Sequence, residues 1–244
     1  MKNTRTIKKI LPTAIAASMI ALFSVGTAQA TEHNWSGFYG GATFGAMQFK
    51  TETDDYWCWY ACDAPGNTEQ AMSGGLTGGY NWQLSNNFVV GIEADISTGA
   101  KSSERIIENT AGDRFSDWKS EWSNLGTIRG RAGLTVDRTM VFVTGGFAVT
   151  EAKYYAKGEG WRDVTASWDG TLTGLAMGVG VEHALTKNMS FKAEYLRVSM
   201  PKKDACWASS DTGVCWDDGT PQNVNHVHWT SSADIFRVGM NWKF

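Results

Sequence analysis

Beyond its first thirty residues the chain has no uninterrupted run of 18 apolar residues, so no part of that region can cross a bilayer as a helix. If it spans a membrane, it must do so as a closed barrel, the other fold that satisfies every backbone polar group in lipid. Proline is scarce, at 4 in 244 residues, which leaves long strands unbroken. There is no basic excess: the formal charge is −3, which argues against nucleic acid as a partner. Only 4 cysteines and 4 histidines occur. Their spacing, Cys58-x3-Cys62 and Cys206-x8-Cys215, is not that of a structural zinc site.

What is present begins with a leader. Lys2, Arg5, Lys8 and Lys9 precede an apolar run from Ile10 to Val25, and Ala28-Gln29-Ala30 follows. This is the pattern of a secretory signal peptide cleaved after Ala30. Residues 31–244 would then form the exported domain. Four of the 22 basic residues leave with the leader and none of the 25 acidic ones do, so the exported part carries −7. Glycine (27) and tryptophan (12) are abundant. Glycine suits tightly curved strands, and tryptophan suits the interfacial girdles of membrane barrels.

Eight strand-like segments follow, at 37–49, 72–84, 88–98, 120–134, 139–154, 170–185, 189–199 and 230–244. Three connections are tight: residues 85–87, 135–138 and 186–188. Four are long: 50–71, 99–119, 155–169 and 200–229. Short and long alternate, as in outer-membrane barrels, which have short periplasmic turns and long extracellular loops. A soluble lipocalin-like barrel is the competing architecture.

The two strand faces separate these readings. Residues Phe236, Val238, Met240, Trp242 and Phe244 alternate with Arg237, Gly239, Asn241 and Lys243, which is a strand with one apolar and one polar face. Phe88, Val90, Ile92, Ala94 and Ile96 oppose Glu93 and Asp95. Ile128, Ala132 and Leu134 oppose Arg129 and Arg131. Leu175, Met177, Val179 and Val181 oppose a glycine-rich face carrying Glu182, and Phe191, Ala193 and Tyr195 oppose Lys192 and Glu194. A lipid-facing Arg or Lys near mid-bilayer costs roughly 2–4 kcal/mol. The apolar faces are therefore predicted to look outward. Glu93, Asp95, Arg129, Arg131, Glu182, Lys192, Glu194 and Arg237 are predicted to form an ionic network in the lumen, as filling or as a narrow conducting path. The facing of the first and fifth segments stays open. Trp82, Phe88, Phe191, Trp242 and Phe244 are expected as one aromatic girdle, and Phe49, Trp122, Tyr154 and Tyr155 as the other.

The long loops carry the remaining chemistry. An even cysteine count in an exported chain reads as disulfides. Cys58–Cys62 with Cys206–Cys215 is the favoured pairing, and pairing across the loops stays open. Trp57, Trp59, Trp118, Trp161, Trp168, Trp207, Trp216 and Trp229 lie in or beside the loops and are expected to pack them together. The sharper reading is an aromatic binding surface, since tryptophan dominates hot spots. His226 and His228 are two apart and share a face if extended, which makes them candidate ligands for a metal or haem iron.

Several motifs resemble a known family: Trp35-Ser36-Gly37-Phe38-Tyr39-Gly40-Gly41, Gly78-Gly79-Tyr80-Asn81-Trp82, Val90-Gly91-Ile92-Glu93-Ala94-Asp95, Gly126-Thr127-Ile128-Arg129-Gly130-Arg131-Ala132-Gly133, Thr144-Gly145-Gly146-Phe147-Ala148, Val179-Gly180-Val181-Glu182 and the terminal strand. Together they resemble the small porin-family outer-membrane β-barrel proteins of Gram-negative bacteria, in particular the 25- and 31-kilodalton major surface proteins of alphaproteobacteria. The resemblance implies an all-β, eight-stranded, antiparallel up-and-down transmembrane barrel over residues 31–244. It also implies surface exposure, envelope integrity and host contact, and recognition of Phe244 by the barrel-assembly machinery. Some relatives bind haemin, but no binding motif of theirs transfers to this chain; by their own chemistry the loop residues His226, His228, Trp207 and Trp216 are the candidate contacts for haemin or another small ligand. Enzymatic relatives that deacylate lipid A carry a His-x-Ser unit; this chain has His228-Trp229-Thr230, and His183 lacks a serine two residues on. The sequence therefore predicts a non-enzymatic, monomeric barrel with outer-membrane lipids as its surroundings and no catalytic or resident metal site.

Overall fold

The terminal alternation is realised as an extended strand in a computed structural model that describes residues 33–55, 67–85, 87–98, 101–108, 114–158, 164–209 and 226–244. The leader, Cys58, Cys62, Cys215, Trp57, Trp59, Trp161 and Trp216 lie outside the described residues. Eleven strands occur among them: β1 (Gly37–Asp55), β2 (Asn67–Ser85), β3 (Phe88–Ser97), β4 (Lys101–Glu108), β5 (Arg114–Val136), β6 (Thr139–Gly158), β7 (Val164–Ala184), β8 (Met189–Ser199), β9 (Lys203–Cys206), β10 (Ala208–Ser209) and β11 (His226–Lys243). No helix long and apolar enough to cross a membrane occurs among the described residues.

Eight strands form a ring in the order β1-β2-β3-β5-β6-β7-β8-β11, and β11 pairs back onto β1 from Tyr39↔Lys243 to Asp55↔Val227. Every pairing is antiparallel. Closure removes the exposed sheet edges that an open sheet would present. The three short strands prolong this wall: β4 pairs with β5, β9 with β11, and β10 with β7.

Six of the eight wall strands, β1, β2, β5, β6, β7 and β11, run beyond their sequence-predicted ends on the long-loop side, and the long loops shrink accordingly. β1 and β2 reach into 50–71, and β6 and β7 reach into 155–169. Residues 99–119 contain β4 and the start of β5, while 200–229 contain β9, β10 and the start of β11. The cause is an inversion of amphipathicity partway along β1, β5, β6, β7 and β11. On β11, Phe236, Val238, Met240 and Trp242 face outward and Arg237 and Asn241 inward. Nearer its start, Val227, Trp229, Ala233 and Ile235 turn inward and Thr230 outward. On β6, Val141, Val143, Phe147 and Val149 face outward, whereas beyond them Ala152, Tyr154 and Ala156 face inward and Glu151 and Lys153 outward. Lipid thus surrounds the first zone and water the second. Backbone pairing continues through both, because a buried unpaired N–H or C=O is costly in either.

On β5 the inversion needs a bulge. Ladder pairing jumps from Trp122↔Ala152 to Leu125↔Thr150, so β5 carries one residue more than β6 there. Trp122 and Leu125, three apart, therefore both point inward. The facing of the first and fifth predicted segments is now fixed. Tyr39, Thr43, Met47 and Phe49 point inward on β1, and Met140, Phe142, Thr144 and Ala148 on β6.

Glycines on the inner face permit close strand packing. A Cβ on Gly146 would lie 2.1 Å from the carbonyl oxygen of Ile128 and 2.6 Å from the Arg129 Cα. Gly146→Val is expected to abolish the folded barrel, read as loss of the fast-migrating species on an unboiled gel. An unchanged heat-modifiable band would show that the wall can give at this point. The β5–β6 hairpin places Asp137 at φ 54°, a left-handed conformation that Asp tolerates better than most residues.

Candidate functional site

The interior is filled in layers. At the tight-turn end Trp35, Val89, Met140, Phe142 and Ala184 form a small apolar floor. Above it lie the eight ionisable side chains singled out from the sequence, all buried. They comprise four carboxylates and four cations, so the layer is formally neutral. Three opposite-charge pairs follow directly from register: Glu93↔Arg129, Glu194↔Arg237 and Glu182↔Lys192 sit across neighbouring strands.

The side-chain contacts run both along the wall and across the lumen, where Arg129–Glu194, Lys192–Glu93, Arg237–Asp95 and Arg131–Glu182 join strands that are not neighbours. Arg129 donates to Glu93 at 2.6 Å, to Asp95 at 2.7 Å and to Glu194 at 2.6 Å. Lys192 reaches Glu93 at 2.6 Å. Arg237 donates to Glu194 at 2.7 Å and to Asp95 at 2.9 and 3.0 Å. Arg131 donates to Glu182 at 3.0 Å, and its guanidinium lies between the rings of Tyr39 (4.8 Å) and Phe142 (5.3 Å). Burial of these charges is tolerable because each is paired and hydrogen-bonded.

Neutral groups complete the layer, and the sequence did not single them out. Tyr39 donates to Glu93 at 2.9 Å and Thr127 to Asp95 at 2.7 Å. Ser190 and Asn241 donate to Glu182 at 2.6 and 2.8 Å, and Arg131 donates to Asn81 at 2.8 Å. Each shares the inward face of its strand with a charged residue or a glycine, which was the only available signal. Lys243 stays out of this layer and bonds the backbone oxygen of Asn34.

Above the ionic layer the lumen becomes apolar and aromatic. Met47, Phe49, Trp118, Trp122, Leu125, Tyr154, Leu172, Leu196, Val198, Trp207, Trp229 and Ile235 belong to one buried cluster. Its ring contacts tie together elements that are not neighbours in the wall. Phe49 packs on Trp122 at 4.7 Å, Tyr154 stacks on Trp229 at 5.5 Å with planes 11° apart, and Trp118 meets Trp207 edge-on at 5.7 Å. A hydroxyl chain threads the cluster. Tyr154 and Ser231 are 2.8 Å apart, Thr51 lies 3.2 Å from both Ser231 and Ser120, and Trp122 Nε1 donates to Tyr154 at 3.2 Å.

This corrects one sequence expectation. Phe49, Trp122 and Tyr154 do not belong to an outward girdle; they face the lumen at 1–2% exposure, while Tyr155 alone of that group looks outward. They lie past the inversion, where the inner face is the apolar one. At the other end Trp82, Phe88, Phe191, Trp242 and Phe244 are all exposed on the outer wall. The expected terminal-strand residues Phe236, Val238 and Met240 are exposed as well.

The loop candidates separate. Trp207 is buried on Trp118, and His228 bonds Asp204 across β9 and β11. Lys203 lies over the Trp168 ring at 4.9 Å. The side chain of His226 is outside the described ones, and its backbone stands opposite Cys206. Cys206 is disulfide-bonded, and the other three cysteines lie outside the described residues. Among the described residues no cluster of three or more His, Cys, Asp or Glu side chains could hold a metal ion.

A closed antiparallel ring with apolar residues outside and a charged layer inside defines a transmembrane β-barrel protein. The chain belongs to the outer membrane protein beta-barrel domain family, whose model matches residues 15–244. It is 32% identical over 180 residues to the 31 kDa outer-membrane immunogenic protein of Brucella melitensis, covering 72% of this chain and 68% of that one. It is 27% identical over 174 residues to the 22 kDa outer membrane protein of Rhizobium leguminosarum, covering 70% and 67%. Among solved structures it resembles OprG of Pseudomonas aeruginosa (TM-score 0.53, 12% identity, covering 87% of this chain and 98% of that one). It also resembles the outer membrane protease OmpT of Escherichia coli (TM-score 0.53, 10% identity, 88% and 99%), a likeness of fold alone. The family resemblance read from the sequence and the eight-stranded fold are borne out, and the protein is an outer-membrane surface barrel.

Proposed function

We propose that this protein is a sealed, non-enzymatic scaffold that holds its long loops rigidly at the cell surface. The observation that carries this reading is the double closure of the lumen. A neutral ionic layer and an aromatic cluster lie in series, each bridging strands that are not neighbours. Eight strands enclose a bore that side chains can fill, and here both layers fill it. Water and ions would have to break ion pairs in one layer and separate stacked rings in the other.

The aromatic cluster also explains the tryptophan-rich loop roots. They pack the segment of barrel that rises past the lipid zone, so the loops depart from a rigid rim. The disulfide at Cys206 adds a covalent tie at that rim, in keeping with loops cross-linked in an oxidising exterior.

Planar-bilayer recording of the refolded protein tests the reading. No conductance steps above background are expected at neutral pH, and the same result is expected for Trp229→Ala, because the ionic layer remains. Steady channels in the native protein would overturn the sealed scaffold in favour of a pore.

A further inference from the structure

The tight-turn end of the barrel contains a small, partly open cavity at the edge of the ionic layer, whose own occupant has not been described so far. Trp35 precedes β1 and closes the floor, with its backbone N–H donating to Gln83 at 2.8 Å and its ring meeting His33 edge-on at 4.8 Å. Beside it is a cavity of about 20 Å3 lined by His33, Trp35, Asn81, Glu182, Ser190 and Asn241, among others. Two wall residues carry side-chain atoms without hydrogen-bond partners: the donor Trp35 Nε1 and the acceptor Asn241 Oδ1. Both residues are 3% exposed. An unsatisfied buried polar group costs about 1–3 kcal/mol, so two on one small cavity call for an explanation.

We infer that this cavity binds one structural water molecule, which accepts from Trp35 Nε1 and donates to Asn241 Oδ1. The volume exceeds the roughly 10–15 Å3 that a single water needs, and a stable buried water needs two to four polar partners. His33 supplies a third. Burial, then the nearby Lys243 charge, lowers its pKa, so the neutral ring offers an acceptor nitrogen to the second water proton. A cation does not fit the same set: Trp35 presents only a donor, and Glu182 already accepts from Arg131, Ser190 and Asn241. A hydrocarbon chain is excluded by size. The water would join the N-terminal segment to the last strand, two parts of the chain that meet only once the ring has closed.

Two measurements on the refolded full-length mature chain decide it. A crystal structure at about 1.5 Å should contain one spherical density peak within hydrogen-bonding distance of both Trp35 Nε1 and Asn241 Oδ1. With indole 15N labelling, the Trp35 Nε1–H proton should show a cross-relaxation peak to water that is absent in Trp35→Phe. Asn241→Leu should remove the density peak while leaving the strand pairing of β11 with β1 intact. No density in the native protein, or a sharp Trp35 indole signal without a water cross-peak, overturns the site. If either variant fails to fold, the native crystal and spectrum still give the answer.

Discussion

Replacing Arg129 with Met is expected to lower the unfolding free energy of the barrel by about 3–5 kcal/mol, the cost of leaving buried charges unpaired. Arg129 is the hub of the ionic layer. It bonds Glu93, Asp95 and Glu194 at 2.6–2.7 Å, with its side chain fully removed from solvent. Removing it leaves four carboxylates facing three cations. Lys192 still holds Glu93, and Arg237 still holds Asp95 and Glu194, but the layer acquires a net negative charge in a low-dielectric bore. Urea unfolding in lipid vesicles, followed by tryptophan fluorescence and by gel migration, measures the loss. The double variant Arg129→Met/Glu194→Leu should recover part of it, because it restores neutrality. A single variant within about 1 kcal/mol of the native protein would mean that water, not Arg129, solvates these carboxylates.

Trp229→Ala is the second large effect, at about 3–5 kcal/mol for truncating a buried aromatic. The site of the damage distinguishes it from the first. Trp229 is 2% exposed, stacks on Tyr154 and belongs to the cluster past the inversion. Its loss should loosen the loop-end extension while the lipid-zone wall, which is built from other residues, persists. Limited proteolysis should then cut within the ends of β1, β6, β7 and β11 that project beyond the apolar zone. The heat-modifiable core should survive. Global loss of the folded band with no protected fragment would show that the two zones fold as one cooperative unit. In the Arg129 variant, by contrast, the protected core itself should be destabilised.

The contrast between these two sites parallels how much of the molecule was legible in its sequence. The ionic layer was legible. Charges placed at alternate positions of apolar strands have one tolerable location in a membrane barrel, so once the leader and the alternation of short and long connections pointed to the membrane, Glu93, Asp95, Arg129, Arg131, Glu182, Lys192, Glu194 and Arg237 could be assigned inward. The aromatic layer was not. Tryptophan and tyrosine suit an interfacial girdle as well as a core, and Phe49, Trp122 and Tyr154 went to the wrong side for that reason. The β5 bulge hid the change further, because Trp122 and Leu125 are spaced as residues on opposite faces would be.

The sequence by itself determined the class of fold, the count of wall strands, the charged face and the lipid-facing sides of the strands other than β1 and β6. Those follow from local periodicity and from the cost of placing charge in hydrocarbon. Only the tertiary structure decided which charges pair across the bore, where the extended strands exchange their faces, and how the N-terminal Asn34 meets Lys243 of the last strand. These depend on ring closure and strand register, which bring together residues as much as 209 positions apart. Alternation with a period of two says which way a side chain points, but not what it meets on the far side of the barrel.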